Sequence, residues 1–155
     1  MRFQIEALPP GTFQSLFDVG DEERARYNAQ LIRVEETNST PCRISLEDAR
    51  PGEEVILAPY EHQGAQSPFH ASGPIFVRRG VAQAHLAPGE VPAQLARRLL
   101  SVRAYDRNHE MVDAEVVEGG ALEALIARFL DRRDTLYLHA HYARRGCYAA
   151  RIVRI

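Results

Sequence analysis

The chain has 155 residues, 45% apolar and 26% charged, the make-up of one folded domain spanning residues 1-155 and not of a disordered tail. Its 19 basic residues oppose 21 acidic ones, and a net charge of −2 gives no general attraction for nucleic acid or an anionic membrane surface. Every basic residue is arginine, which excludes a lysine Schiff base, a pyridoxal phosphate anchor and a phosphate-binding loop that ends in lysine.

The predicted elements begin with a short strand over Arg2 to Leu8, stopped by Pro9-Pro10-Gly11. Asp18 to Gln30 reads as a helix or two short turns, Leu31 to Glu35 as a strand, and Thr37-Asn38-Ser39-Thr40-Pro41 as a break. Leu46 to Arg50 is a turn of helix at most, closed by Pro51-Gly52, and Glu53 to Pro59 is a strand buried around Val55, Ile56 and Leu57. Tyr60 to Pro74 shows no period and holds Gly64, Pro68, Gly73 and Pro74; it also carries Tyr60, His62, Phe69 and His70, too aromatic for a solvated linker. It is expected to be an ordered loop folded back over the body, since loops of such length are usually functional or disordered. Ile75 to Arg79 follows as a strand, Gly80 to Pro92 as a surface connection and Ala93 to Arg98 as a short helix.

Leu99 to Tyr105 and Glu110 to Val117 predict an antiparallel hairpin around Asp106-Arg107-Asn108-His109, ended by Gly119-Gly120. Leu122, Leu125, Ile126, Phe129 and Leu130 then fall on one helical face. Thr135 to Tyr142 and Cys147 to Ile155 predict a second hairpin. The fold class is therefore α+β: an antiparallel sheet built of hairpins, with a helix over 121-132 packed on one face.

The register of the last hairpin bears on chemistry. A two-residue turn at Arg144-Arg145 would put two non-glycine residues at positive φ, whereas a three-residue loop, Arg144-Arg145-Gly146, places a glycine where the left-handed conformation is needed. That loop sets Tyr142 opposite Tyr148 and Ala143 opposite Cys147. One face then holds Leu136, Leu138, Ala140, Tyr142, Tyr148, Ala150 and Ile152, and the other Tyr137, His139, His141, Cys147, Ala149 and Arg151.

His139 and His141 project from the same side of a strand, about 6.6 Å apart at Cα, close enough to share a metal ion if His62, His70 or Glu61 supplied a third ligand. Two ligands do not make a site, and no metal is assigned. Cys42 and Cys147 are too few for a disulfide scaffold and read first as small buried side chains. Cys147 beside Arg144-Arg145 and a histidine is also the minimal nucleophile–base arrangement. Arg43, Arg78, Arg79, Arg103 and Arg145 could build an anion pocket, although Arg103 could equally pair across strands with Asp113 or Glu115.

Three stretches look familiar together. They are Pro41-Cys42-Arg43-Ile44-Ser45-Leu46-Glu47-Asp48-Ala49 with Pro51-Gly52-Glu53; Pro59-Tyr60-Glu61-His62 through Ser67-Pro68-Phe69 to Gly73-Pro74-Ile75-Phe76-Val77-Arg78; and Arg98-Leu99-Leu100-Ser101-Val102-Arg103-Ala104-Tyr105 to His141-Tyr142-Ala143-Arg144-Arg145-Gly146-Cys147. Their order resembles a bacterial family known as domain of unknown function 1203, over residues 40 to 153. The resemblance implies that Cys42, Arg43, His62, Arg103, His141 and Cys147 belong to one pattern, with Tyr142 where asparagine often follows the histidine. It supplies no activity and no cofactor.

These readings converge on a small-molecule-binding protein, with an anionic ligand held by Arg43, Tyr60, Arg103 and Arg145. In an enzymatic form, His62 and His141 would move protons and Cys147 would attack. The alternative is a non-catalytic module that docks a protein partner. No apolar run approaches the roughly 20 residues of a membrane span. The opening Met1-Arg2-Phe3-Gln4-Ile5-Glu6 lacks a signal peptide's apolar stretch, so a cytoplasmic protein is expected, with the oligomeric state left open.

Overall fold

The computed structural model describes residues 2–155, and in it alternating and helical patterns become two sheets and three helices. The strands are β1 (Phe3–Glu6), β2 (Gln30–Arg33), β3 (Glu54–Gln63), β4 (Ala71–Arg78), β5 (Leu99–Tyr105), β6 (Met111–Glu118), β7 (Tyr137–Tyr142) and β8 (Tyr148–Arg154). One sheet has the order β1-β8-β7-β5-β6 and the other β2-β3-β4, with every ladder antiparallel. The helices are α1 (Asp21–Arg26), α2 (Ala93–Ala96) and α3 (Leu122–Asp131), with a 3₁₀ turn at Gly11–Phe17.

α3 buries all five residues of its predicted stripe. They join Leu100, Val102, Ala104, Leu138, Ala140, Ala150 and Ile152 from alternate positions of β5, β7 and β8 in one core cluster. The turn into α3 needs glycine for space: a Cβ at Gly119 would lie 2.0 Å from the Leu95 carbonyl oxygen. A second cluster, including Phe17, Cys42, Ile44, Ile56, Ala58, Ile75 and Val77, backs the smaller sheet.

Two expectations are corrected. Much of the segment from 60 to 74 is strand, because β3 runs on to Gln63 and β4 starts at Ala71. Pro59 faces Pro74. Two prolines can oppose each other only where neither must donate, and β2 stops pairing at Leu57, so β3 loses nothing on that side. The prolines and glycines that broke the sequence pattern therefore sit inside a hairpin.

The final hairpin closes through four residues, Ala143–Gly146, and not three. Tyr142 N–H donates to Cys147 O at 2.9 Å and Gly146 N–H donates to Tyr142 O at 2.7 Å. Gly146 takes the left-handed conformation expected of it, at φ 81°. The extra residue is absorbed by a bulge: His141 pairs with Tyr148, while Ala140 pairs with Ala150 and Leu138 with Ile152. Beyond the bulge the register is the one a three-residue loop would give. Before it, Tyr148 changes sides to join the histidines, Ala149 enters the aliphatic core, and Cys147 pairs with Tyr142. Leu136, expected with the apolar set, precedes β7 and is 51% exposed.

Candidate functional site

On the face of the larger sheet turned away from α3, three strands present polar and aromatic side chains. Cross-strand pairing sets Ser101 opposite His141, Arg103 opposite His139 and Tyr105 opposite Tyr137. The β8 bulge adds Tyr148. From the other sheet, the end of β3 lies over this face. His62 sits in a second bulge, between the pairs Tyr60–Gly73 and Gln63–Ala71, and a third opposes Tyr105, which pairs with Met111 after Ala104 pairs with Asp113. Bulges re-aim side chains, and here three of them border one cluster.

The cluster is built ring on ring. His62 lies 4.9 Å from His141 and 6.2 Å from His139 between centroids, and His139 lies 6.3 Å from His141. Tyr148 stacks on His62 at 5.6 Å and meets both other imidazoles edge-on. Tyr60 caps Tyr148 at 5.5 Å, and Tyr105 and Tyr137 stack at 5.2 Å beside His139. The Tyr137 hydroxyl is bound by Gln63 Nε2 at 2.9 Å and lies 2.8 Å from His109 Nδ1.

His139 and His141 are 4% and 0% exposed. His141 Nδ1 lies 2.9 Å from the Gly146 carbonyl, whereas His141 Nε2, His139 Nδ1 and His62 Nδ1 are buried without a hydrogen-bond partner. Burial is the main cause that lowers His139 from 6.5 to about 3, and His141, His62, Arg151 and Arg103 add to it. His141 is also lowered to about 3, first by burial and then by Arg103, His62 and Arg43, against the opposing pull of Gly146 O. Burial and then Arg103 lower His62. The imidazoles are therefore neutral bases near pH 7.

Arg103 forms no ion pair among the described residues. Its two candidate carboxylates pair with other arginines: Asp113 lies 3.0 Å from Arg132, and Glu115 lies 3.7 Å from Arg128. Register explains this. Asp113 is opposite Ala104 and Glu115 opposite Val102, on the α3 side, while Arg103 faces Ala114.

Of the residues singled out from sequence, His62, Arg103 and His141 come together, with Tyr60 at the rim. Cys147 does not join them. Its pairing with Tyr142 places it on that tyrosine's side of the strand, and among the described residues its thiol has one hydrogen-bond partner, Arg145 O at 4.0 Å from Sγ. Arg43 belongs to that other group. Buried, it donates through Nε to Tyr148 O at 2.7 Å and lies 5.0 Å from the Tyr142 ring centre. Arg145 is exposed at the hairpin tip. His70 pairs with Glu61 at 2.8 Å, in the open. Among the described residues, no three His, Cys, Asp or Glu side chains are arranged to hold a metal ion. Tyr148 is the member that alternation assigned to the wrong face, and no local sequence signal marks its bulge.

The chain matches the model of a family described as "Protein of unknown function (DUF1203)" over residues 39–154. The chain belongs to that family. Within DUF1203 the matched stretch contains every residue of the histidine–tyrosine cluster, since Tyr60 is its first member and Tyr148 its last. No curated protein and no solved structure matches the chain. No helix is long and apolar enough to cross a membrane among the described residues.

Proposed function

We propose that this protein binds a small anionic molecule beside Arg103, with His141 placed to take a proton from it. The observation that carries the reading is the unpaired guanidinium: Arg103 stands opposite a buried histidine while the carboxylates of the neighbouring strand are held by Arg132 and Arg128 on the other side of the sheet. Among neutral imidazoles the uncompensated Arg103 is the charge that attracts an anion, which Arg can hold through two parallel hydrogen bonds. The arriving charge also offsets the arginine field that weakens the imidazoles as bases, so His141 becomes a better base when the site is occupied.

Two surface hollows of about 430 and 250 Å³ lie elsewhere, one between β1 and residues 83–86 and one beside β2, β3 and β4. They hold none of these side chains, and a closed cluster favours a ligand of few atoms. We take the protein to be a bacterial, cytoplasmic one, a setting in which the unpaired thiols of Cys42 and Cys147 stay reduced.

The test is thermal unfolding of the full chain with phosphate, sulfate, acetate and glycolate, for wild type and Arg103→Gln. Saturating anion at about 100 times Kd stabilises wild type by about 2.7 kcal/mol. Arg103→Gln is expected to weaken binding about tenfold or more, as loss of a charged hydrogen-bond partner does. Equal stabilisation of both proteins, or none of either, would remove the proposal.

A further inference from the structure

Resting on that reading, we infer that the ligand is an oxyanion carrying its own O–H on, or one atom away from, the charged group. A singly protonated phosphoryl group or a 2-hydroxycarboxylate has this chemistry; sulfate and plain carboxylates lack it.

One hydrogen bond fixes the tautomer of His141. The Gly146 carbonyl can only accept, so His141 Nδ1, 2.9 Å away, carries the hydrogen and donates. In a neutral imidazole the other nitrogen is then a bare lone pair. That nitrogen, Nε2, is buried and has no partner. A buried acceptor without a donor is costly and calls for one.

A bare cation would satisfy the lone pair but not its surroundings. Arg103 faces the cluster from β5, Arg151, paired with Glu6 at 3.7 Å, is opposite His139 on β8, and the buried Arg43 adds its charge at His141 without entering the cluster. No carboxylate of the described residues is hydrogen-bonded to any of the three rings in the cluster. The site thus asks for negative charge at Arg103 and a donor at His141 Nε2, within one small molecule. A sulfate or acetate oxygen placed against Nε2 would bring two lone pairs face to face. An O–H there removes the clash, and it is the proton that the proposed base would accept.

His62 is the ring nearest His141 in the cluster. Its half-buried ring lies edge-on to His141 at 4.9 Å, in the β3 bulge, with half-buried Ser101 opposite His141 on the other side.

Matched pairs decide the matter. Dissociation constants for phosphate against sulfate, and for glycolate against acetate, are measured at pH 6 by chemical-shift titration of the full chain. The hydroxylated or protonated member of each pair is expected to bind at least tenfold tighter, the usual penalty for stranding a buried polar group. His141→Leu is expected to bring the two members of each pair to equal affinity, because the acceptor that distinguishes them is gone. Should that variant not fold, nitrogen chemical shifts of the His141 ring in wild type give a second check: hydrogen on Nδ1 supports the inference and hydrogen on Nε2 overturns it. Equal affinity within both pairs overturns it while leaving the anion reading intact; no binding by any of the four, in contrast, removes the anion reading itself.

Discussion

The two faces of the five-stranded sheet are built from the same strands in alternate positions, yet they work differently. Toward α3, Leu100, Val102, Ala104, Leu138, Ala140, Ala150 and Ile152 meet five aliphatic and aromatic side chains of one helix. Away from it, Ser101, Arg103, Tyr105, Tyr137, His139, His141 and Tyr148 meet the end of a second sheet. β7 is buried along all six residues because it is covered on both sides. The first face draws on hydrophobic transfer and tolerates no charge. The second keeps polar groups buried, three of them with unpartnered nitrogens, a cost to stability that the proposed ligand would relieve.

The comparison can be broken most sharply on the helix side. Phe129 is 1% exposed, and Phe129→Ala is expected to cost about 3–5 kcal/mol in denaturant unfolding through the cavity it leaves. Anion affinity of the folded protein should not change. A loss of affinity as large as that of Arg103→Gln would show that the two faces are not independent.

The histidine face should reveal itself in acid. His139 and His141 bind protons at about 6.5 when unfolded and about 3 when folded, so between those values the unfolded chain takes up more protons. Stability is therefore expected to be full above pH 6.5 and to fall as pH drops toward 3. The rings experience this among His62, Tyr105, Tyr137, Tyr148, Arg43, Arg103 and Arg151. His139→Phe keeps a ring in place and removes one titration. It should recover on the order of 2 kcal/mol of the loss at pH 4. An unchanged acid midpoint would show that the imidazoles are not the groups that fail.

The smallest effect is expected at the hairpin tip. Arg145→Ala should stay within about 0.5 kcal/mol in stability and leave anion binding as it is, since Arg145 is exposed and outside the cluster. A tenfold drop in affinity would return Arg145 to the site and shift the binding surface toward the turn.

How much was legible in the sequence differs between the faces for a physical reason. The 3.6-residue stripe of α3 and the two-residue alternation of β5 are local and repeat, so they survive reading one residue at a time. That His139 and His141 share one side of β7, and Ser101, Arg103 and Tyr105 one side of β5, also follows from alternation. The approach of His62 does not, because β3 lies more than 70 residues before β7 in the chain and a proline pair hides the strand that delivers it. Nor does the side taken by Tyr148 and Cys147, which depends on one extra residue in the turn and one bulged residue beyond it.

By itself the sequence determined the α+β class, the helix and its buried face, the hairpin glycine and the absence of any lysine chemistry. Those follow from local backbone preferences and from which atoms are present. The tertiary structure alone decided that three imidazoles share a space with an unpaired arginine, and that the thiol stands apart from them. Such distances are set where two sheets meet, and a bulge costs the pattern only one residue while turning every side chain before it to the other face.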